Sequence, residues 1–185
     1  MDELTIKPTK IAFQCAVGFT LFTILLTYGM YFLKIDPNMD MGFGKKTFIF
    51  IISYLPFIAA IFYAQKYHRD EELKGFLSFG RGFSTGFRVA LFSGLMIGLF
   101  MILYYQFLNT AAFEQILIQT EDKLSENDSM DESAIEQALS MTKKWFPFMI
   151  FIGSVLGCAI IGSIISLIGA AIYKKEGPVF AQVSE

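Results

Sequence analysis

Apolar residues run through this chain in four long blocks that contain no Asp, Glu, Lys, Arg or His, at 11–33, 47–64, 89–108 and 145–173. The blocks show neither the two-residue alternation of a half-buried strand nor the polar stripe of a helix lying on a soluble core. A helix needs roughly 20 apolar residues to cross about 30 Å of hydrocarbon, and each block approaches or exceeds that length. Barrel strands would instead read as alternating segments of about ten residues. The pattern predicts an all-α integral membrane protein with four transmembrane helices, forming a single membrane domain over 1–185.

Between the third and fourth blocks lies the one long polar segment, 109–144. Phe113, Ile116, Leu117, Thr120 and Leu124 fit one helical stripe, and Ile135, Ala138, Leu139 and Thr142 fit a second. The residues SENDS at 125–129 read as a turn, and Ser129 with Glu132 has the spacing of a capping box. This predicts an external amphipathic helical hairpin whose second helix runs into the fourth span. Its acidic character is read as a solvated face rather than a cation site.

Composition supports the membrane assignment. Of the 185 residues 54% are apolar, 16% are aromatic and 21 are Phe, against 17% charged, and the formal net charge is −2. Such a chain lacks the basic field of a nucleic-acid binder and the low hydrophobicity of a disordered one. Topology follows from the charges. With four spans, the connectors at 1–10, 65–88 and 174–185 share one side and hold nine Lys and Arg, against six in 34–46 and 109–144. The side richer in Lys and Arg is expected to be cytoplasmic, which places both termini inside. The first block is too long for a signal h-region, follows Asp2 and Glu3 and lacks a small-x-small site, so it is expected to remain as an anchor. Aromatic clusters at Tyr28, Tyr31 and Phe32, at Tyr104, Tyr105 and Phe107, and at Trp145, Phe146 and Phe148 then fall at the outer boundary.

Small residues carry the most specific spacing. Gly82, Gly86, Ala90, Gly94 and Gly98 recur every four residues along the third helix. Ser154, Cys158, Gly162, Ser166 and Ala170 do the same along the fourth, with Gly153 and Gly157 beside them as a GxxxG pair. Lipid offers little hydrophobic drive between helices, so association depends on close van der Waals contact, which small side chains permit. A tight contact is expected between spans three and four, or between two copies of one of them. Pro56 lies inside the second span, where it removes a backbone hydrogen bond. The hydroxyl and amide side chains of the spans, Gln14, Thr20, Thr23, Thr27, Ser53 and Gln106 among them, are expected to bond between helices.

The connector QKYHRDEELKGFLSFGRGFSTGFR ends in a Phe-rich block. Ser78 is a candidate N-cap for a helix that continues into the third span. Phe76, Phe79, Phe83 and Phe87 lie near one face of that helix, with Gly80 between them and Arg81 and Arg88 elsewhere, as in an interfacial amphipathic segment. The run GFLSFGRGFSTGFRVALFSG, followed by an aromatic-ended span, resembles an uncharacterised bacterial family called domain of unknown function 4199. The resemblance covers most of the chain and implies a fold of four spans and a bacterial inner-membrane location. It supplies no chemistry.

No catalytic constellation is visible. His68 is the one histidine and sits among charges, so it reads as a surface residue. Cys15 and Cys158 lie about 6 and 22 Å from the inner face at 1.5 Å per residue, too far apart to bridge. Asp36, Asn38 and Asp40 alternate like a calcium loop, but Gly42 falls one place late and Thr47 stands where a Glu is needed, so the segment reads as a turn. No metal site, P-loop, GxSxG or HExxH occurs, and no acid or base lies in a span. The expected protein is therefore non-enzymatic and binds no cofactor. It is a structural or accessory subunit in contact with the lipid bilayer, packing with itself or with a membrane-protein partner and not with nucleic acid. The alternative is a small transporter or channel-like protein acting as a homo-oligomer, and a membrane enzyme has the least support.

Overall fold

The computed structural model describes residues 7–35, 42–126 and 131–175. Five helices account for most of them: α1 (Thr9–Phe32), α2 (Phe43–Tyr67), α3 (Phe79–Leu103), α4 (Thr110–Ser125) and α5 (Glu132–Tyr173). Wide π-helical turns extend α2 over His68–Glu72 and α3 over Tyr104–Leu108. Four helices are long and apolar enough to cross a membrane: α1, α2 with its extension, α3 with its extension, and α5. Each predicted span lies within one of them or overruns it by a single residue. The alternating residues Asp36, Asn38 and Asp40, the turn at Ser129 and the acidic N-terminus fall outside the described residues.

Two compact units form, one from the described residues within Met1–Gly94 and Gly157–Glu185, the other from Leu95–Leu156. In the first unit, neighbouring pairs set the helix directions. Thr9 bonds Arg88 and Phe13 packs on Phe92, so α1 and α3 run parallel. Phe57 and Gln65 of α2 approach Gly162 and Gly169 of α5, so this pair is parallel too. Gly82, Gly86 and Ala90 of α3 meet Ala170, Ser166 and Gly162 of α5 in the reverse order, so α3 and α5 are antiparallel. The unit is an up-down-up-down bundle. The starts of α1 and α3 and the ends of α2 and α5 share one end.

Glycine decides how closely these helices approach. A Cβ placed on Gly82 would lie 3.1 Å from Ala170 Cβ, and one on Gly86 would lie 2.9 Å from both Gln65 Nε2 and Ile61 Cγ2. On Gly162 it would collide with Ala90 Cβ and lie 3.3 Å from Phe57 Cζ. From Gly82 through Gly86 to Ala90, each four-residue step along α3 is matched by a four-residue step back along α5, from Ala170 through Ser166 to Gly162, so these six small residues form one seam. Phe19 of α1 stacks on Phe57 with ring centroids 4.8 Å apart and covers the α2 side. Gly94 is buried. Gly153 and Gly157 have a different surrounding: a Cβ on either meets nothing within 4 Å. One position on a helix is a turn of about 100°, and that offset carries the pair out of the seam.

In the second unit, Gly98 of α3 lies against Phe151 of α5, where a Cβ would come within 2.8 Å of the ring. Tyr105 meets Phe146 edge-on at 5.4 Å, and Phe146 also packs on Phe113 of α4 at 4.5 Å. Asn109 caps α4 by accepting a hydrogen bond from the Ala112 N–H at 3.2 Å while its own amide donates to Tyr104 Oη at 2.8 Å. Asp131 caps α5, accepting from the Ala134 N–H at 2.8 Å. Both predicted stripes, Phe113 to Leu124 and Ile135 to Thr142, are half-buried between exposed neighbours. Helix α5 is 42 residues long, about 63 Å at 1.5 Å per residue, roughly twice the hydrocarbon thickness.

Most span hydroxyls bond within their own helix. Thr23 donates to the Phe19 carbonyl, Thr27 to Thr23, Ser53 to Ile49, Ser154 to Ile150 and Ser163 to Ala159, at 2.6 to 3.0 Å. The expected bonds between helices are absent for these groups because the carbonyl four residues back is always within reach and needs no partner helix.

Filling the seam should be costly where open glycines tolerate change. Gly162→Val is expected to destabilise the protein by about 1–3 kcal/mol through overpacking. Gly18→Ala, where a Cβ meets nothing within 4 Å, should be neutral or stabilising by up to about 1 kcal/mol through helix propensity. Unfolding in mixed micelles measures both.

Candidate functional site

At the end of the bundle where α2 and α5 finish, the buried row along α2 turns from apolar to polar. Phe57, Ile61 and Ala64 are followed on the same face by Gln65 and His68, both fully buried. The Gln65 amide donates from one nitrogen to two carbonyls on different helices, Gly82 O of α3 at 3.0 Å and Ser166 O of α5 at 2.9 Å. One side chain thus ties three helices together. Its Oε1 fills the space where a Cβ on Gly169 would stand, so the clamp requires glycine there. Gln65 Oε1, Ser93 Oγ and Ser166 Oγ are buried with no hydrogen-bond partner among the described residues.

His68 bonds Glu72 through Nδ1 and Arg81 through Nε2, the latter at 3.2 Å. A guanidinium N–H can only donate, so Nε2 is the acceptor and the proton sits on Nδ1, donating to the carboxylate. The geometry describes a neutral imidazole between a carboxylate on its own helix and an arginine at the start of α3. Thr85, buried one turn beyond, donates to the Arg81 carbonyl at 2.8 Å. Arg88, two turns beyond Arg81, donates to Thr9 Oγ1 at 3.0 Å and fastens the start of α1.

The chain reverses between α2 and α3 through Lys74 (φ 54) and Gly75 (φ 91), and the Gly75 N–H donates to the Arg69 carbonyl at 2.7 Å. Two successive left-handed residues favour glycine at the second. Leu77, fully buried, then pairs with Lys175 by two backbone hydrogen bonds of 2.8 and 2.9 Å. The Lys175 ammonium lies 5.7 Å from the Phe76 ring centroid, and the Arg69 guanidinium 5.3 Å from that of Tyr173. Arg69 also forms a forked pair with Asp70, at 2.6 and 3.2 Å. The end of α5 is thereby attached to the connector before α3.

The Phe-rich block is divided between these contacts and the surface. Helix α3 starts at Phe79, directly after Ser78, and the Gly82 N–H donates to the Ser78 carbonyl at 2.9 Å. Ser78, Phe79 and Gly80 are exposed, while Phe83 is half-buried with its ring 5.8 Å from that of Phe87. Arg81 and Arg88 are engaged with His68 and Thr9. Sequence reading did not single out Gln65, and it placed His68 at the surface, whereas His68 is fully buried. The spacing of 57, 61, 65 and 68 continues a helical core face into polar residues, and that continuation was the available signal. Cys15 and Cys158 are both free thiols. Among the described residues no three His, Cys, Asp or Glu side chains are grouped so as to hold a metal ion.

These features define a multi-pass, all-helical membrane protein in which the buried Gln65 and His68 bind helix to helix. The chain belongs to the family described as protein of unknown function (DUF4199), which it matches over residues 14–175. No curated protein matches it, and no solved structure does.

Replacing the clamp tests its structural weight. Gln65→Leu keeps most of the volume and removes both interhelical bonds, so a loss of about 1–2 kcal/mol is expected in micelle unfolding. Gln14→Leu, at an exposed position of α1, should stay within about 0.5 kcal/mol of the parent.

Proposed function

We propose that this protein is a non-enzymatic accessory subunit of the bacterial inner membrane that packs, through α5, against a second copy or another membrane protein. The observation that carries this reading is the bareness of α5. Only 6% of its most apolar window is buried within the chain, against 33%, 17% and 39% for the windows of α1, α2 and α3. Leu156, Ile160, Ile164 and Ile168 are exposed along the side of α5 away from the seam. Gly153 and Gly157 lie toward the same side with open space at their Cα atoms, the geometry in which a partner helix can approach closely.

The distribution of basic residues in the same bundle supports the orientation. Lys10, Lys66, Arg69, Arg81, Arg88 and Lys175 lie at the shared end of α1, α2, α3 and α5, and that end is assigned to the cytoplasm with both termini. The half-buried stripes of α4 and the start of α5 support a helical hairpin between the third and fourth spans.

Purification from native membranes in mild detergent with mass spectrometry of co-purifying chains tests the reading. A stoichiometric partner or a discrete homo-oligomer is expected. Gly153→Leu with Gly157→Leu should weaken that assembly without lowering the melting temperature of the dissociated chain, because a Cβ at either position meets nothing within 4 Å and leucine favours a helix over glycine. A monomer with no partner would overturn the proposal. A homo-oligomer that conducts ions or solutes in liposomes would favour the transporter alternative.

A further inference from the structure

At the other end of α1 and α2 a groove opens between the second half of α1 and the first half of α2. Its volume is about 730 Å³, within the range of small-molecule sites. Leu26, Met30, Phe48 and Ile52 are among its walls, and Gly29 and Gly44 leave room in it, since a Cβ on either meets nothing within 4 Å. Lys34 and Lys45 line it as well, and both are exposed.

Among the described residues, the charged side chains that line the groove are both lysines. Lys34 ends α1 in a left-handed conformation (φ 54), held by its own N–H donating to the Tyr31 carbonyl at 3.1 Å and by the Ile35 N–H donating to Met30 at 2.9 Å. Lys45 stands in the first turn of α2, which has no acidic residue and no side-chain cap. A lysine there opposes the positive end of the helix dipole. Neither ammonium is paired with a carboxylate among the described residues. Asp36 and Asp40 of the connecting segment lie outside the described residues.

An apolar groove with a cationic mouth, on a helix pair that crosses a membrane, matches a molecule with an anionic head and a hydrocarbon tail. We propose that this groove binds an anionic phospholipid, with one acyl chain between α1 and α2 and the phosphate group between Lys34 and Lys45. The inference is separate from the subunit reading, because the groove is built by α1 and α2 while the bare face belongs to α5.

The test is a titration of the purified, delipidated full chain in detergent with dioleoyl phosphatidylglycerol and dioleoyl phosphatidylcholine, followed by native mass spectrometry. The wild-type chain is expected to bind phosphatidylglycerol at least about tenfold more tightly. Lys34→Gln with Lys45→Gln should weaken phosphatidylglycerol binding roughly thirtyfold, at about 1 kcal/mol per lysine and 1.4 kcal/mol per factor of ten. Gly29→Leu, which adds bulk to the groove at a position where a Cβ meets nothing within 4 Å and keeps both lysines, should reduce it to a similar degree. Equal affinity for the two lipids would overturn the proposal, as would wild-type affinity in the lysine variant. Wild-type affinity in Gly29→Leu would overturn it too, since the headgroup would then bind with no chain in the groove.

Discussion

The close approach of α3 and α5 is the constraint on which the first unit depends. In lipid the side chains gain little by leaving their surroundings, so helices associate through short-range contact and hydrogen bonds. Dispersion falls off within fractions of an ångström, and only residues as small as Gly82, Gly86, Ala90 and Gly162 allow the two backbones to meet. The same closeness makes the polar clamp possible. Gln65 reaches Gly82 O and Ser166 O with one nitrogen because those two carbonyls lie on helices already in contact.

The polar end adds bonds of a different kind to this packing. Gln65 and His68 are fully buried where the apolar blocks give way to charge. Burying such groups without partners is costly, and most of their capacity is met: carbonyls for the glutamine, Glu72 and Arg81 for the imidazole. The chain ends of the helices are joined there as well, Thr9 to Arg88 and Leu77 to Lys175. A change at this end would therefore be felt in all four helices of the unit.

Away from the seam the chain faces outward with little cover. Helix α5 contributes one face to α3 and leaves the other bare. The groove between α1 and α2 is apolar inside and cationic at its rim. Bare apolar helix faces are ordinary in a bilayer, so what distinguishes these two is the open glycine pair on one and the two lysines lining the other. Those features underlie the subunit and lipid readings, and they lie on different helices.

The four spans were legible in the sequence because a run without charge long enough to cross hydrocarbon has few other interpretations. The seam positions Gly82, Gly86 and Ala90 on α3 and Gly162, Ser166 and Ala170 on α5 were legible as well, since a four-residue repeat maps onto one helix face whatever surrounds it. So were the stripes of α4 and the start of α5, which emerge half-buried position for position. Spacing along one helix cannot say which face meets which neighbour. Only the tertiary structure placed Gly162 against Ala90 while leaving Gly153 and Gly157 open. It alone moved His68 from an assumed surface into the interior, and it showed Gln65 bonding between helices where Thr23, Thr27, Ser53, Ser154 and Ser163 bond within their own. Hydroxyls find a carbonyl four residues back in their own helix, whereas a long amide reaches a neighbour only where packing brings one within 3 Å.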